Sequence, residues 1–443
     1  MSFALFGLLA PASLPAQSTF GEIRGTVTDA TGGVIAGASV TATNKATGEA
    51  RTAVTDEVGN YSLVNLPAGT YDVAVENAGF RKAVARNVAV RAREIARADC
   101  KLEVGGATTE VVVSEAGQVI TTDAPTLVDS KSSKQIMDLP VNFRAGGTNT
   151  VFAAIATAPG VQPSSGGSEY SLGGSMPFMS TSSVDGISSI NVRSNGIITE
   201  MFPSADAIDE IKVSTTSNNA EFAQAGDVTT TSRSGSNALH GALYWYHQNG
   251  AMDAKDYFST RTGAPFKISN DYGFAVGGPI FKNKTFFFGD FEGLRYRAQS
   301  QINITVPPDS YRTGNLSSVS GTIRDPLNGQ AFAGNIIPSN RISAISTKIL
   351  DRLYPRQTEP GDSISSNNYR VQRAAANSND GFDVRGDHVF NSKQTVFARL
   401  SYKNLTQQSP VSLTTEGDNR TSERLRSLTV AYNYIIRPTL INE

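Results

Sequence analysis

The chain has 443 residues, 39% of them apolar, enough for several domains with real cores. Lys and Arg number 39 against 40 for Asp and Glu and are scattered, so no basic field exists to attract nucleic acid, and none is expected as a partner. The single cysteine, Cys100, excludes an intrachain disulfide framework. The three histidines, His240, His247 and His388, lack the close spacing of a zinc site, and the sequence gives no catalytic residue, metal site or cofactor site.

Forty glycines and frequent Ser, Thr and Asn describe a mainly β chain with many turns. Phe3 to Leu14 is a short apolar run, and Leu14-Pro15-Ala16 before Gln17 has the small residues of a cleavage site. Residues 1–17 therefore read as a secretory signal, although the usual basic start is missing. No later stretch reaches about eighteen uninterrupted apolar residues, so any crossing of a bilayer must be made by strands.

Residues 18–103 alternate apolar and polar side chains in short runs separated by turns. Ile23, Gly25 and Val27 begin the series. Val40 to Asn44, Ala50 to Thr55, Tyr61 to Val64 and Thr70 to Glu76 follow, then a strand with Val84, Val88 and Val90, and Cys100 at a strand position near the end. That spacing requires a small β-sandwich with Tyr61, Leu63, Tyr71, Val73 and Val75 facing inward. Gly25-Thr26-Val27-Thr28-Asp29, Asp56-Glu57-Val58-Gly59-Asn60-Tyr61, Leu66-Pro67-Ala68-Gly69-Thr70-Tyr71 and Gly79-Phe80 together resemble the carboxypeptidase regulatory-like domain. The resemblance implies a transthyretin-like sandwich of a carbohydrate-binding-like fold in an accessory role. It implies no peptidase, because the paired histidines and glutamate of such zinc enzymes are absent.

Residues 104–236 open on the linker Gly105-Gly106 and the extended run Glu110-Val111-Val112-Val113. Asp129 or Ser130 is expected to cap a brief helix ending before Leu139-Pro140, and Val151 to Ala158 reads as a second helix stopped by Pro159-Gly160. Ser165 to Ser175 is rich in glycine and turns. Val184-Asp185-Gly186-Ile187 is a turn, and Ala205 to Glu210 leads into a strand from Ile211 to Thr215. A compact α+β unit follows from this alternation of short elements.

Leu139, Pro140, Asn142 and Arg144, Pro159-Gly160, Asp185-Gly186, Glu210 within Ala207 to Val213, Ala220-Glu221-Phe222, and Arg233, Gly235 and Asn237 resemble the plug of TonB-dependent outer-membrane receptors, in the Oar-like subgroup. Arg233 stands where that family usually has lysine, which keeps the charge. The resemblance implies a peptide that an energised inner-membrane partner, TonB with its complex, pulls upon. Glu110, Val111, Val112 and Val113 resemble such a peptide, and a buried plug strand is the other reading of the same valines.

From residue 237 onward, segments of about ten residues alternate in the manner of transmembrane β-strands. Leu239 to Gln248 places Leu243, Trp245 and His247 opposite Tyr244 and Tyr246, aromatic side chains suited to an interfacial girdle. Asp271 to Phe281 and Lys284 to Arg295 form a hairpin around Lys282-Asn283-Lys284. The rhythm breaks at about 299–380, with one helix from Ser343 to Leu353, and resumes at Phe382 to Phe390. Val396, Ala398, Leu400 and Tyr402 are expected to face lipid, with Arg399, Ser401 and Lys403 toward a lumen. Leu428, Val430, Tyr432, Tyr434 and Ile436 repeat the lipid-facing pattern.

His240-Gly241, Gly277-Gly278-Pro279, Phe286-Phe287-Phe288 and Glu292 extend the Oar-like resemblance into the barrel. Plugged outer-membrane transporters close with about 22 strands, so the chain looks like the N-terminal part of one. The expected architecture is a β-sandwich, an α+β plug and the first strands of an incomplete transmembrane β-barrel, at 18–103, 104–236 and 237–443. The resemblance implies an outer-membrane location in a Gram-negative-type bacterium, with the N-terminal domains periplasmic or inside the barrel. It implies energy-coupled uptake of a bulky solute such as a siderophore, oligosaccharide or peptide, or else a role in adhesion, matrix interaction or protein export.

Overall fold

The computed structural model describes residues 19–105, 111–113, 127–138, 154–163, 170–177, 179–190, 203–216, 224, 226–255, 257, 264, 266–359, 361, 367–411, 417–437 and 440–443. Strands β1 (Gly21–Asp29), β2 (Ser39–Asn44), β3 (Ala50–Val54), β4 (Asn60–Leu66), β5 (Gly69–Glu76), β6 (Ala83–Val90), β7 (Ile95–Arg97) and β8 (Cys100–Leu102) build the sandwich. In one sheet β1 pairs antiparallel with β4 and parallel with β7 and then β8. The other runs β3-β2-β5-β6, antiparallel throughout.

Tyr61, Leu63, Tyr71, Val73 and Val75 all lie in the core between these sheets, with Ile23, Val27, Val40 and Cys100. Burying each large apolar side chain contributes about 1.5–3 kcal/mol. A one-residue slip of any of these strands would turn that set to water, so the alternation fixes the register.

The second unit contains β10 (Leu127–Ser132), α1 (Ser133–Asp138), β11 (Val161–Pro163), β12 (Tyr170–Leu172), β13 (Ser180–Val184), β14 (Ile187–Ser188), β15 (Ile208–Thr216) and β16 (Gly226–Ser232). Its sheet has the order β10-β15-β16-β13-β14, with β13 parallel to β16. Ile136, Ile155, Leu172, Ile208, Ile211 and Val228 form its core. The helix expected to start from Asp129 or Ser130 starts later, because residues 127–132 are held as a strand by β15, with Asp129 opposite Val213 and Ser130 opposite Lys212.

Ser132 is the actual cap. Its Oγ accepts from Gln135 N, and Gln135 Oε1 accepts from Ser132 N at 2.9 Å, a reciprocal capping box. In the stretch read as turns, Tyr170–Leu172 is a strand paired with Val161–Pro163. Of the expected helix at 151–158, Ala154 and Ile155 are helical before the chain turns; residues 151–153 lie outside the described residues. So do Leu139, Pro140, Asn142 and Arg144, residues 220–222, and the expected signal at 1–17.

The third unit is a meander of β17 (His240–Asn249), β18 (Lys267–Phe281), β19 (Thr285–Ile304), β20 (Tyr369–Asn391), β21 (Gln394–Pro410), β22 (Asp418–Arg437) and β23 (Leu440–Asn442), each antiparallel to the next. β19 and β20 stay in register from Thr285↔His388 to Ile304↔Tyr369, so the irregular connection between them is 305–368. The polar ends of these strands lack apolar alternation yet keep the hydrogen-bond ladder, which is why the rhythm breaks sooner than the strands do. Ser343 caps α2 (Ala344–Leu353) in that connection, its side chain accepting from Ile345 and Ser346 N.

The connections of the meander alternate in length. Short turns at 282–284 and 392–393 fall at one end, and the longer connections after β17 and between β19 and β20 fall at the other. Outer-membrane barrels have this asymmetry, with short periplasmic turns and long outer loops. Leu243, Trp245, Phe274, Val384, Leu400, Leu428, Val430, Tyr432 and Ile436 stand exposed on one face. The opposite face, with Asp271, Asp290, Asp383, Arg399, Ser401, Thr429 and Asn433, is buried. No helix among the described residues is long and apolar enough to cross a membrane, which says nothing of crossing by strands.

Candidate functional site: a latch between plug and wall

β13 and β14 are joined by the two-residue turn Asp185-Gly186, with Val184 opposite Ile187. Asp185 has φ 50° and Gly186 φ 81°, the left-handed pair that a tight hairpin needs and that Asp-Gly supplies at little cost. The turn aims the Asp185 carboxylate out of the plug sheet, where Ser232 N and Ser232 Oγ each donate to it at 2.8 Å.

Two arginines of the meander meet that carboxylate. Arg399 of β21 donates through Nε to Asp185 Oδ2 at 2.7 Å, and Arg385 of β20 places Nη1 3.5 Å from Oδ1. Arg399 also donates to Ser401 Oγ at 2.6 Å, and Ser401 in turn bonds Asp383. Arg385 is held by Asp387 at 2.8 Å, by Ser232 O at 3.0 Å and over the Phe397 ring at 4.3 Å. The side chains of Asp185 and Arg399 are only 3% and 4% exposed. A cation this far from water is tolerable only with counter-charge close by; the wall supplies part of it, Asp387 to Arg385 at 2.8 Å and Asp383 to Arg399 at 3.7 Å, and the plug adds the shortest ion pair to Arg399 through Asp185.

Further contacts surround this latch. Ser204 of the plug donates to Asp290 of β19, and Ala207 packs on Ala275 and Phe288. Arg233, just past β16, bonds Ser133 at the start of α1, and its amide donates to Ala207 O at 2.7 Å. An 850 Å³ cavity opens beside the latch between sandwich, plug and wall, lined among others by Asn44, Asp209, Arg233 and Asp387.

The sandwich is fastened to the same assembly. Lys212 of β15 donates through Nζ to Ala92 O at 2.8 Å and Arg93 O at 3.0 Å, and Glu210 accepts from Ala92 N at 3.2 Å. Arg93 lies 3.4 Å from Asp227. Burial lowers the Lys212 pKa and raises that of Glu210. At the short-turn end, Asn237 N donates to Ala46 O and Asn237 Nδ2 to Thr47 O, both at 2.8 Å. Asn283 N donates to Asn237 Oδ1, so a single side chain joins sandwich, plug exit and barrel hairpin.

Gly235 lies in the same crossing. A Cβ there would sit 2.4 Å from Phe287 O and 2.6 Å from Gly278 O, so only glycine lets the plug exit pass the hairpin.

Of the residues singled out from sequence, Asp185, Gly186, Arg233, Gly235, Asn237, Gly278 and Phe288 therefore converge at the plug and wall. Glu210 faces the sandwich instead. Pro159 and Gly160 are exposed in a turn whose Gly160 O accepts from Gly173 N at 2.9 Å, apart from the latch. His240 and Gly241 pair with Gly277 and Val276, Phe286 is buried on the inner face, and Pro279 pairs with Phe286 near the strand end. Phe287 and Glu292 are half-buried.

Val111–Val113 form neither a plug strand nor a free peptide but β9 (Val111–Val113), on the edge of the sandwich; Glu110 lies outside the described residues. Sequence reasoning placed Arg399 and Ser401 on the inner face without giving them a partner, and it missed Lys212, Asp383, Arg385 and Asp387. A charged residue at every second position of an otherwise apolar strand was the available signal. Among the described residues, no group of three His, Cys, Asp or Glu is arranged to hold a metal ion.

A sandwich, a plug sheet and a meander whose inner face holds that plug by buried ion pairs define a plug-and-barrel outer-membrane protein. Residues 231–443 match the outer membrane beta barrel domain and residues 22–103 the carboxypeptidase regulatory-like domain. The chain is similar to the TonB-dependent transporter Oar of Myxococcus xanthus, 28% identical over 341 residues, covering 73% of this chain and 31% of that protein. The chain thus spans about a third of the length of the curated relative it matches.

Among solved structures, the outer membrane transporter YddB from Escherichia coli aligns at a TM-score of 0.43 and 11% identity over 70% of this chain and 37% of its own. The Bacillus anthracis TIE protein aligns at 0.18 and 24% identity over 19% of this chain and 17% of its own. Neither score reaches the level of a shared overall fold.

Proposed function

We propose that this chain supplies the regulatory-like domain, the plug and the first barrel strands of a TonB-dependent transporter that carries a bulky solute across the outer membrane. The observation that carries the reading is the Asp185 latch, in which a plug carboxylate pairs with Arg399 and approaches Arg385 on the buried inner face of a wall whose other face is apolar. A permanent core would have no use for an inner interface built of ion pairs and hydroxyls, whereas a seal that must open and reclose does. The long connections gather the ligand, the coupling peptide engages TonB in the periplasm, and force applied there separates the plug from Arg385 and Arg399. No bond of the solute is broken, and the energy comes from the partner complex. Siderophores, oligosaccharides and peptides are the solute classes we put forward, because a space opened by plug displacement admits ligands too large for passive diffusion.

The test is uptake of labelled members of these classes by cells carrying the full-length protein, with and without TonB. Saturable uptake lost with TonB supports the reading. Uptake indifferent to TonB, or a protein that supports adhesion or export and no uptake, overturns it.

A further inference from the structure

The second sheet of the sandwich ends in a strand borrowed from beyond the domain. β9 lies parallel to β6, with Ala83 opposite Val111, Val84 opposite Val112 and Ala85 opposite Val113, which makes it the outer strand of the order β3-β2-β5-β6-β9. Two local features fix that place. The chain leaving β8 first runs antiparallel to residues 79–81, with Arg81 N donating to Glu103 O at 2.8 Å, Gly105 N to Gly79 O at 3.2 Å, and a bridge between Phe80 and Val104. Farther along, the register of β6 on β5 shifts, Asn87 turns to φ 63° and its amide bonds Asp72 Oδ1 at 3.0 Å. The straight part of β6 thus ends after Ala85, and the docking edge is three residues long.

We propose that the sandwich stores the coupling peptide on this edge, so that a periplasmic partner recruiting residues 111–113 by strand addition must first take them from β6. This rests on the coupling reading given under Proposed function. Along a strand, successive residues direct their amide and carbonyl groups to opposite edges. A strand of three residues already paired on one edge has too few groups left to anchor a second sheet.

The contest is between a tethered and a free competitor. Residues 106–110 link Gly105 to the stored strand, and a tether that short holds its end at an effective concentration of about millimolar. A partner present at about micromolar must therefore bind the peptide roughly a thousandfold better than β6 does to displace it. Three paired residues make such an exchange feasible, where a full-length strand would not. The sandwich is itself fastened to the plug through Lys212 and Glu210, so release of the peptide is the first step in a chain of contacts from periplasm to latch.

The experiment uses the full-length protein in detergent with Val84→Cys and Val112→Cys, and the purified periplasmic domain of TonB as the probe. Cys100 is buried in the sandwich core and stays as it is. On mild oxidation the new pair should cross-link, as read by peptide mass spectrometry. The oxidised form should bind the TonB domain at least about tenfold more weakly than the reduced form, with binding restored by reductant.

In the unmodified protein, adding the TonB domain should speed hydrogen exchange at residues 83–85 while slowing it at 111–113. Absence of the cross-link, a cross-link without effect on binding, or residues 83–85 staying protected in the complex would each overturn storage while leaving TonB coupling intact. Failure of the reduced and unmodified proteins alike to bind the TonB domain would remove the coupling reading and this proposal with it.

Discussion

Asp185→Asn is the sharpest perturbation of the latch. The turn needs a residue that tolerates the left-handed region, which Asn does, so the backbone of the Asp185-Gly186 hairpin should survive. Asn Oδ1 still accepts from Ser232 N. What disappears is the charge that faces Arg399 at 2.7 Å and Arg385 at 3.5 Å.

At an effective dielectric of about 20, a unit pair at that closer distance attracts by about 6 kcal/mol gross. Desolvation of the two ions costs several kcal/mol in return, and removing one partner of a buried pair typically destabilises by about 3–5 kcal/mol. With Ser401, Asp383 and Asp387 still in place around the arginines, a loss of about 2–3 kcal/mol is expected. The assay is hydrogen exchange by mass spectrometry over residues 226–232 in the full-length protein, and protection there should fall about 30- to 150-fold. In a cycle with Arg399→Ala, the two changes should cost much less together than the sum of each alone. A change within about 0.5 kcal/mol for Asp185→Asn, or additive effects in the cycle, would refute the view that this contact seats the plug.

Gly235→Ala should prevent the plug exit from passing the hairpin at Phe287 and Gly278, reducing the folded yield in the outer membrane, while Ala238→Gly nearby should be mild; heat-modifiable gel mobility reads both. Leu428→Arg on the apolar outer face should lower barrel stability by about 2–4 kcal/mol in lipid, and Ser427→Arg by much less, as measured by denaturant titration in vesicles. Glu210 is expected to make stability depend on pH. Its folded pKa is raised by burial above the ordinary 4.5, so the native state holds the proton more tightly and stability falls as pH rises from 4.5 toward that raised value. Glu210→Gln should flatten that part of the melting-temperature profile of the full-length protein.

The sandwich was legible because its strands are buried on one face only, and alternation at Tyr61–Leu63 and Tyr71–Val75 therefore states the core directly. Leu428 to Ile436 were legible for the mirror-image reason, with the apolar set outside. The ends of β19 and β20 were not, since strand continuation past the apolar band rests on backbone hydrogen bonds that carry no side-chain signature. The plug helix was misplaced because Asp129 and Ser130 have the chemistry of caps, and only pairing with β15, far along the chain, holds them extended.

Asp185 was recognised as a turn residue and as part of a family motif, but its electrostatic role needs Arg385 and Arg399, some two hundred positions away. No local pattern reports such a pairing. The valines at 111–113 suit several strand environments equally, and the choice among them is made by the open edge of β6.

The account depends most on β22 separating a lipid-facing row from a plug-facing one. Spin labels placed singly from 427 to 436 in the full-length protein, reconstituted in outer-membrane lipid, test this directly. Collision with oxygen should peak at 428, 430, 432, 434 and 436 and dip at 429, 431 and 433, with water-soluble relaxant excluded from the first set. Free access of the water-soluble relaxant at 428 and 430, or the absence of a two-residue period, would contradict the placement of these strands in the membrane and the transport function built upon it.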